Sequence, residues 1–246
     1  MNMKKTLQLV LLAICGLSTS GANAAIALDR TRVIFPGQSN SVSVKVNNYN
    51  QDLPYLAQAW LEDANGNKIN SPFAVLPPIQ RVEPDATAMI QIRALPAAAQ
   101  LPQDKESLFY FNVREVPPKS DEANVLQLAL QTKVKFFYRP QALVVPTGSN
   151  KAPWQEQLTL TPEGGSYRID NPTPYFITLV EAATSSNAEA LDGFQSVMLA
   201  PNSSSTLKLD RKVLGATPSL SYIDDFGGRR QLNYHCGANC QLLPAK

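Results

Sequence analysis

Short stretches in which apolar and polar residues alternate recur along the chain: Ser41-Val-Ser-Val-Lys-Val46, Tyr55-Leu-Ala-Gln-Ala-Trp60, Ala88-Met-Ile-Gln-Ile-Arg93 and Leu108-Phe-Tyr-Phe-Asn-Val113. A period of two sends successive side chains to opposite faces of a strand, and the turn residues between the stretches mark hairpins. After the Pro- and Gly-punctuated segment 140–153 the pattern restarts at Gln157-Leu-Thr-Leu160, Tyr167-Arg-Ile169, Tyr175-Phe-Ile-Thr-Leu-Val180, Gln195-Ser-Val-Met-Leu199 and Thr206-Leu-Lys-Leu209. Sustained helical periodicity is missing from this pattern. It predicts an all-β chain of two antiparallel sandwiches, the second of roughly 100 residues.

One stretch exceeds what a core strand needs. From Asn124 to Tyr138 the alternation puts Leu126, Leu128, Leu130, Val134 and Phe136 on one face. An unbroken strand of that length would extend on the order of 50 Å, against the usual five or six residues. Either it is a buried core strand with a ragged end, or its N-terminal part overhangs the sheet. An overhang presents unpaired backbone groups beside an apolar row, which invites completion by another chain.

The N-terminus reads as a secretory leader: Lys4 and Lys5, an apolar run from Thr6 to Leu17, and Ala22-Asn23-Ala24 as a small-residue cleavage site, so the exported chain is expected to begin at Ala25. The apolar run is too short to span a membrane. Cys15 lies within the leader after Ile14, a poor match to a lipoprotein site. Residues 1–24 carry two of the 22 basic residues and none of the 20 acidic ones, so the exported chain balances at twenty against twenty. That balance, without a basic tract, argues against nucleic acid or anionic lipid as the main partner. Cys236 and Cys240 are left as an even pair in an oxidising compartment, and a local disulfide is expected. The competing assignment, half of a metal site, has only His235 nearby and no second cysteine pair.

Little in the chain suits catalysis. The single histidine, the absence of a further cysteine beyond residue 24 and the lack of a Gly-x-Ser-x-Gly elbow leave no Ser–His or Cys–His arrangement. Asp224 and Asp225 could serve as acid and base, but in Tyr222-Ile-Asp-Asp-Phe-Gly-Gly228 an Asp ahead of two glycines suits a turn. No enzyme activity, cofactor, metal or small-molecule substrate is expected, which leaves binding.

Several segments together resemble the periplasmic pilus (fimbrial) chaperones of Gram-negative bacteria: Ala25-Ile-Ala-Leu-Asp-Arg-Thr-Arg32, Leu53-Pro-Tyr-Leu-Ala-Gln-Ala-Trp60, Leu101-Pro-Gln-Asp-Lys-Glu-Ser-Leu-Phe-Tyr-Phe111, Asn124 to Pro140, Tyr167-Arg-Ile-Asp-Asn-Pro-Thr-Pro-Tyr175 and Tyr222 to Gly228. The resemblance implies two immunoglobulin-like sandwiches in a boomerang arrangement, a leader over 1–24, an N-terminal sandwich over 25–144 and a C-terminal one over 145–246. It implies a periplasmic chaperone that folds, caps and delivers pilin subunits to an outer-membrane usher by donor-strand complementation, a mode in which one chain lends a strand to another's sheet. Leu126, Leu128 and Leu130 match the donor positions of the strand Val125 to Phe137. Arg32 and Lys135 match the pair that anchors the subunit's C-terminal carboxylate, although Lys135 is out of step with the even-numbered leucines. Glu106, Arg139 and Asp225 fall where the family carries an interdomain salt bridge, and Pro54, Leu56, Pro78 and Ile79 resemble an usher-facing patch. The short linker from Pro117 to Asn124 resembles chaperones that serve rod-forming pili. Self-association of the free chain to cover its donor row is left open. The alternative is an exported structural or adhesive fibre component, though neither an N-terminal donor extension nor a single incomplete domain is visible.

Overall fold

Alternation alone explains which side chains enter the first core: Val44 and Val46, then Ala57, Ala59 and Leu61, then Ile90 and Ile92, each set spaced by two. The structure, a computed structural model, describes residues 24–120, 126–146, 148, 149 and 151–244. The expected leader, with Cys15 and all of the cleavage motif except Ala24, lies outside the described residues.

The first sandwich comprises β1 (Ile26–Leu28), β2 (Arg32–Pro36), β3 (Ser41–Asn48), β4 (Tyr55–Glu62), β5 (Lys68–Ile69), β6 (Phe73–Leu76), β7 (Ile79–Val82), β8 (Thr87–Ala94), β9 (Ser107–Val116) and β10 (Gln131–Arg139). One sheet has the order β1-β3-β8-β6, and the other β2-β10-β9-β4-β5 with β7 paired to β4. The chain start switches sheets: β1 pairs antiparallel with β3, whereas β2 pairs parallel with β10, bringing Arg32 beside Lys135. Between the sheets lies an aromatic cluster. The ring of Phe73 sits 4.9 Å from that of Phe35, 5.5 Å from Phe109 and 5.0 Å from Phe136, in tilted and edge-on geometries that aromatic pairs favour.

The second sandwich comprises β11 (Thr159–Glu163), β12 (Ser166–Asn171), β13 (Ile177–Ala183), β14 (Val197–Leu199), β15 (Ser203–Thr206), β16 (Ser219–Ile223), β17 (Arg229–Cys236) and β18 (Cys240–Leu242). Its sheets run β11-β12-β15 and β14-β13-β16-β17-β18. Tyr167, Ile169, Ile177, Leu179, Leu220, Leu232 and Tyr234 fill the space between them. The two buried tyrosines keep their hydroxyls satisfied by donating to the carbonyls of Gly215 and Leu158.

At three of the boundaries that differ from the sequence expectation, a local hydrogen bond outcompetes the ladder. Leu158 N–H donates to Gln155, so a 3₁₀ turn at Trp154–Gln157 precedes β11. Asn171 donates through Nδ2 to the Tyr175 carbonyl and accepts from Thr173 N–H, which keeps Tyr175 in a turn ahead of β13. The Asp210 carboxylate accepts from Lys212 N–H and caps the helical turn Arg211–Leu214, so β15 ends at Thr206 before the expected Leu209.

The larger correction concerns the long stretch. The strand over 124–138 is not continuous: β10 begins at Gln131, and residues 126–130 adopt no regular structure. Asn124 and Val125 lie outside the described residues. The physical reason is the want of a neighbour. Partner strand β9 pairs with β10 from Arg114 opposite Gln131, adds one further bond from Glu115 N–H to the Leu130 carbonyl, and ends at Val116 before Pro117 and Pro118. Apolar alternation without a ladder partner does not make a strand.

Candidate functional site

The two faces of β10 have different duties. Its even residues, Val134, Phe136 and Tyr138, are buried in the first core. Of its odd residues, three turn toward the second sandwich: Lys135 Nζ donates to Thr178 Oγ1 at 2.7 Å, the ring of Phe137 lies 5.6 Å from that of Phe176, and Arg139 reaches Asp225. The odd number of Lys135 therefore reflects plain use of the opposite face, with no bulge in the β10 pairings.

Arg32 and Lys135 are Cα partners across the parallel pair of β2 and β10. Arg32 Nη1 donates to the Ile223 carbonyl at 3.1 Å, and its Nε is buried without a partner. None of the ion pairs among the described residues involves either base. Burial, aided by the Arg32 charge, lowers the Lys135 ammonium to about 8. Burial likewise lowers Arg32, against the attraction of Asp225, Asp224 and Glu106. Two half-buried cations are thus held side by side with bonding capacity to spare, an arrangement suited to an anion.

Beyond them, β10 has a free edge. Pairing with β2 starts at Lys135, so Gln131 to Val134 have β9 on one side and no strand of this chain on the other, among the described residues. Next along the chain, Leu126, Leu128 and Leu130 are 83%, 67% and 45% exposed. The root of this segment is fixed by Glu115, whose carboxylate accepts from Leu130 N–H at 3.3 Å and Ile26 N–H at 2.9 Å.

Glu106, Arg139 and Asp225 meet where the sandwiches join. Arg139 Nε donates to Glu106 at 2.7 Å, and Nη1 and Nη2 grip Asp225 at 2.6 and 2.9 Å. Glu106 and Arg139 are 3% and 6% exposed. The other Glu106 oxygen accepts from Phe176 N–H at 2.8 Å, and Glu106 N–H donates to the Pro174 carbonyl. Burial raises the Glu106 carboxyl against the pull of Arg139. Burial opposes the Arg139 charge too, but its bonds to Asp225 and the field of Glu106 outweigh it and raise the guanidinium. Arg139 also lies 4.9 Å from the Trp154 ring and 5.1 Å from that of Tyr175, themselves stacked at 4.4 Å. Asp224 makes the turn, accepting from Phe226 and Gly228 N–H, while Asp225 points away to Arg139. Gly227 has φ of 85°, and a Cβ there would strike Thr31, so only glycine lets this turn press against the bend before Arg32.

The remaining positions lie apart from this junction. Leu56 and Ile79 are exposed on paired strands β4 and β7, and Pro78 accepts from Ala59 N–H; Leu53 and Leu76 are exposed large apolar residues that the sequence did not single out. Cys236 and Cys240 form a disulfide across β17 and β18. The sequence also gave no notice of Thr178, Phe176, Trp154, Tyr175 or Glu115, whose parts follow from tertiary contact and carry no local motif.

Comparison with known proteins bears directly on this geometry. A family model described as "Pili and flagellar-assembly chaperone, PapD N-terminal domain" matches residues 25–144, and one described as "Pili assembly chaperone PapD, C-terminal domain" matches residues 153–234. The chaperone protein PapD of Escherichia coli is 48% identical over 229 residues, 92% of this chain and 93% of the relative. The chaperone protein PmfD of Proteus mirabilis (strain HI4320) is 40% identical over 241 residues, 95% of this chain and 92% of the relative. The solved periplasmic chaperone SfaE superposes with a TM-score of 0.67 at 29% identity, over 85% of this chain and 98% of that one. The Salmonella enterica SafB chaperone, solved with the SafA pilin, has the same fold, with a TM-score of 0.69 at 22% identity, over 87% of this chain and 98% of that one.

Proposed function

The chain belongs to the family of pili assembly chaperones, and on that footing we propose that it holds pilin subunits in the periplasm by lending them a strand until an outer-membrane usher receives them. Export removes residues 1–24, and the work of the chain is binding, with no bond made or broken. The observation that carries this is the couple Arg32 and Lys135, in no ion pair among the described residues, at one end of a free strand edge whose other end runs into the exposed row Leu126, Leu128 and Leu130.

The lane beside β10 fixes how a partner strand would enter. β2 occupies it from Lys135 onward and runs parallel to β10. A subunit strand filling the empty part ahead of β2 meets the two cations at the end nearest β2. If its C-terminal carboxylate is the anion, the strand must run in the same direction as β10. The leucine segment, once given this neighbour, can continue β10 and place its apolar side chains in the subunit. Each leucine buried contributes about 1.5–3 kcal/mol before the costs of association. The contacts of Arg139 with Glu106 and Asp225 keep the two walls in register around the anchor. Leu56 and Ile79, with Pro54 and Pro78, offer a separate apolar surface for the usher.

The test is retention of pilins by tagged chain in a periplasmic pull-down. Arg32→Ala or Lys135→Ala is expected to give a folded protein that retains them far less, since removing one side of a desolvated charge pair costs about 2–5 kcal/mol. Undiminished retention by both variants would refute the anchor, and self-polymer or no stable partner for the unmodified chain would refute the function.

A further inference from the structure

The near-zero charge of the exported chain hides a local excess. Residues directly opposite in a sheet share a face. The register sets Trp60 opposite Asn112 and Asn112 opposite Lys133; it sets Lys68 opposite Glu62, Glu62 opposite Tyr110, Tyr110 opposite Lys135, and Lys135 beside Arg32, while Arg114 lies opposite Gln58. The outward face of this sheet therefore gathers Lys68, Arg114, Lys133, Lys135 and Arg32. Lys68 and Arg114 lie 5.5 and 5.8 Å from the centre of the Trp60 ring, and Lys133 lies 4.4 Å from that of Tyr110. Glu62, the carboxylate among these positions, is already engaged by Lys133 at 2.6 Å and by the Trp60 indole N–H at 2.9 Å. No linear tract announces this, because the five bases come from four strands.

We propose that this face recognises acidic side chains at alternate positions near the C-terminus of the bound pilin's edge strand, and so governs which subunits are captured and how fast. The proposal rests on the pilin-holding function above. The occupant follows from continuity: Lys133 and Lys135 alternate on the strand whose free edge receives the subunit. A strand added there sends every second side chain to the face that carries them. Lys68, Arg114 and Lys133 are exposed residues, with Lys133 engaging Glu62 and Arg114 engaging Gln58, and their stems pack on the rings. A face of like charge beside a docking edge raises the association rate, with strong dependence on salt.

The experiment uses a Trp154→Phe background, which leaves Trp60 as the sole tryptophan and so a reporter inside the face. The probe is a ten-residue peptide alternating Glu and Thr, C-terminally amidated so that the anchor plays no part. The expected result is a saturable change in Trp60 fluorescence that fades with salt. In Lys68→Gln/Arg114→Gln/Lys133→Gln, with its melting transition kept, peptide affinity should drop by about tenfold or more, as should the pilin association rate at low salt. Equal peptide binding by the triple variant, or a response only to duplex DNA or phosphatidylglycerol vesicles, would overturn the proposal. If the unmodified chain captures pilin and the triple variant does so at the same rate and salt dependence, this inference alone fails. No pilin capture by the unmodified chain overturns it together with the function on which it rests.

Discussion

Replacing Arg139 with Leu should be the most damaging single change at the junction of the sandwiches. The substitution removes the cation that, among the described residues, is ion-paired with both Glu106 and Asp225, leaving Glu106, 3% exposed, with the Phe176 N–H as its remaining hydrogen-bond donor. Removing one member of a buried ion pair costs about 3–5 kcal/mol, because the other charge stays desolvated. Glu106→Leu leaves Arg139 its bidentate hold on Asp225, so its cost is that of charged hydrogen bonds, about 1.5–3 kcal/mol each at most. Asp225 is the most exposed of the three, so Asp225→Ala should be the mildest. The decisive measurement is a double-mutant cycle by urea unfolding of the exported chain. Arg139→Leu/Glu106→Leu should be more stable than Arg139→Leu alone, with a coupling on the order of 2 kcal/mol. Strictly additive losses, or an Arg139→Leu variant within about 1 kcal/mol of the parent, would show that the desolvated carboxylate is not what the guanidinium sustains.

Three further outcomes follow from the same geometry. The folded-state value of Lys135, about 8, lies below its ordinary value of 10.5, so between these the unfolded chain binds the extra proton and the free protein should gain stability as pH rises through the window; subunit retention should move the opposite way, weakening above pH 8 as the ammonium is lost, and a flat retention profile from pH 7 to 9.5 would count against Lys135 as an anchor. Leu128→Glu, at an exposed position outside the ladder, should leave the melting temperature of the free chain almost unchanged while abolishing pilin binding, whereas Gln127→Glu should be mild; outright unfolding of Leu128→Glu would mean that the segment belongs to the core. Reducing Cys236–Cys240, a ring closed over a separation of four residues, should cost about 2 kcal/mol or less and leave pilin capture intact, as thermal melts with and without reductant can check.

What could be read in the sequence was whatever a local period encodes. Val44, Val46, Ile90 and Ile92 enter the core because alternation puts them on one face. Leu126, Leu128 and Leu130 have the same pattern yet remain outside, since a strand also needs a neighbour, and Pro117 and Pro118 end the one available. Arg32 and Lys135 are far apart in sequence, and only the switch of the N-terminal strand between sheets makes them partners. Resemblance to the family singled them out before any geometry could. The basic face was invisible for a related reason: a net charge sums over residues, whereas a surface depends on register.

The exposed leucine row also poses a question of solubility. A row of three leucines continuous with a formed strand would be an aggregation template, with apolar side chains and unpaired backbone presented together. Here the two liabilities are separated. The free edge at Gln131 to Val134 belongs to a formed strand that carries Lys133 and the half-buried Lys135, and charge on an edge opposes pairing with a like copy. Leu126 and Leu128 sit on backbone with no ladder to extend, so they offer apolar surface without a template. On the proposed function, a subunit that supplies both an anion for Arg32 and Lys135 and a groove for the leucines would recombine the two as the segment gains its missing neighbour. Selectivity for such a partner over a second copy of the chain would then arise from the ordering cost of the segment, which is repaid only if anchor and groove are engaged together.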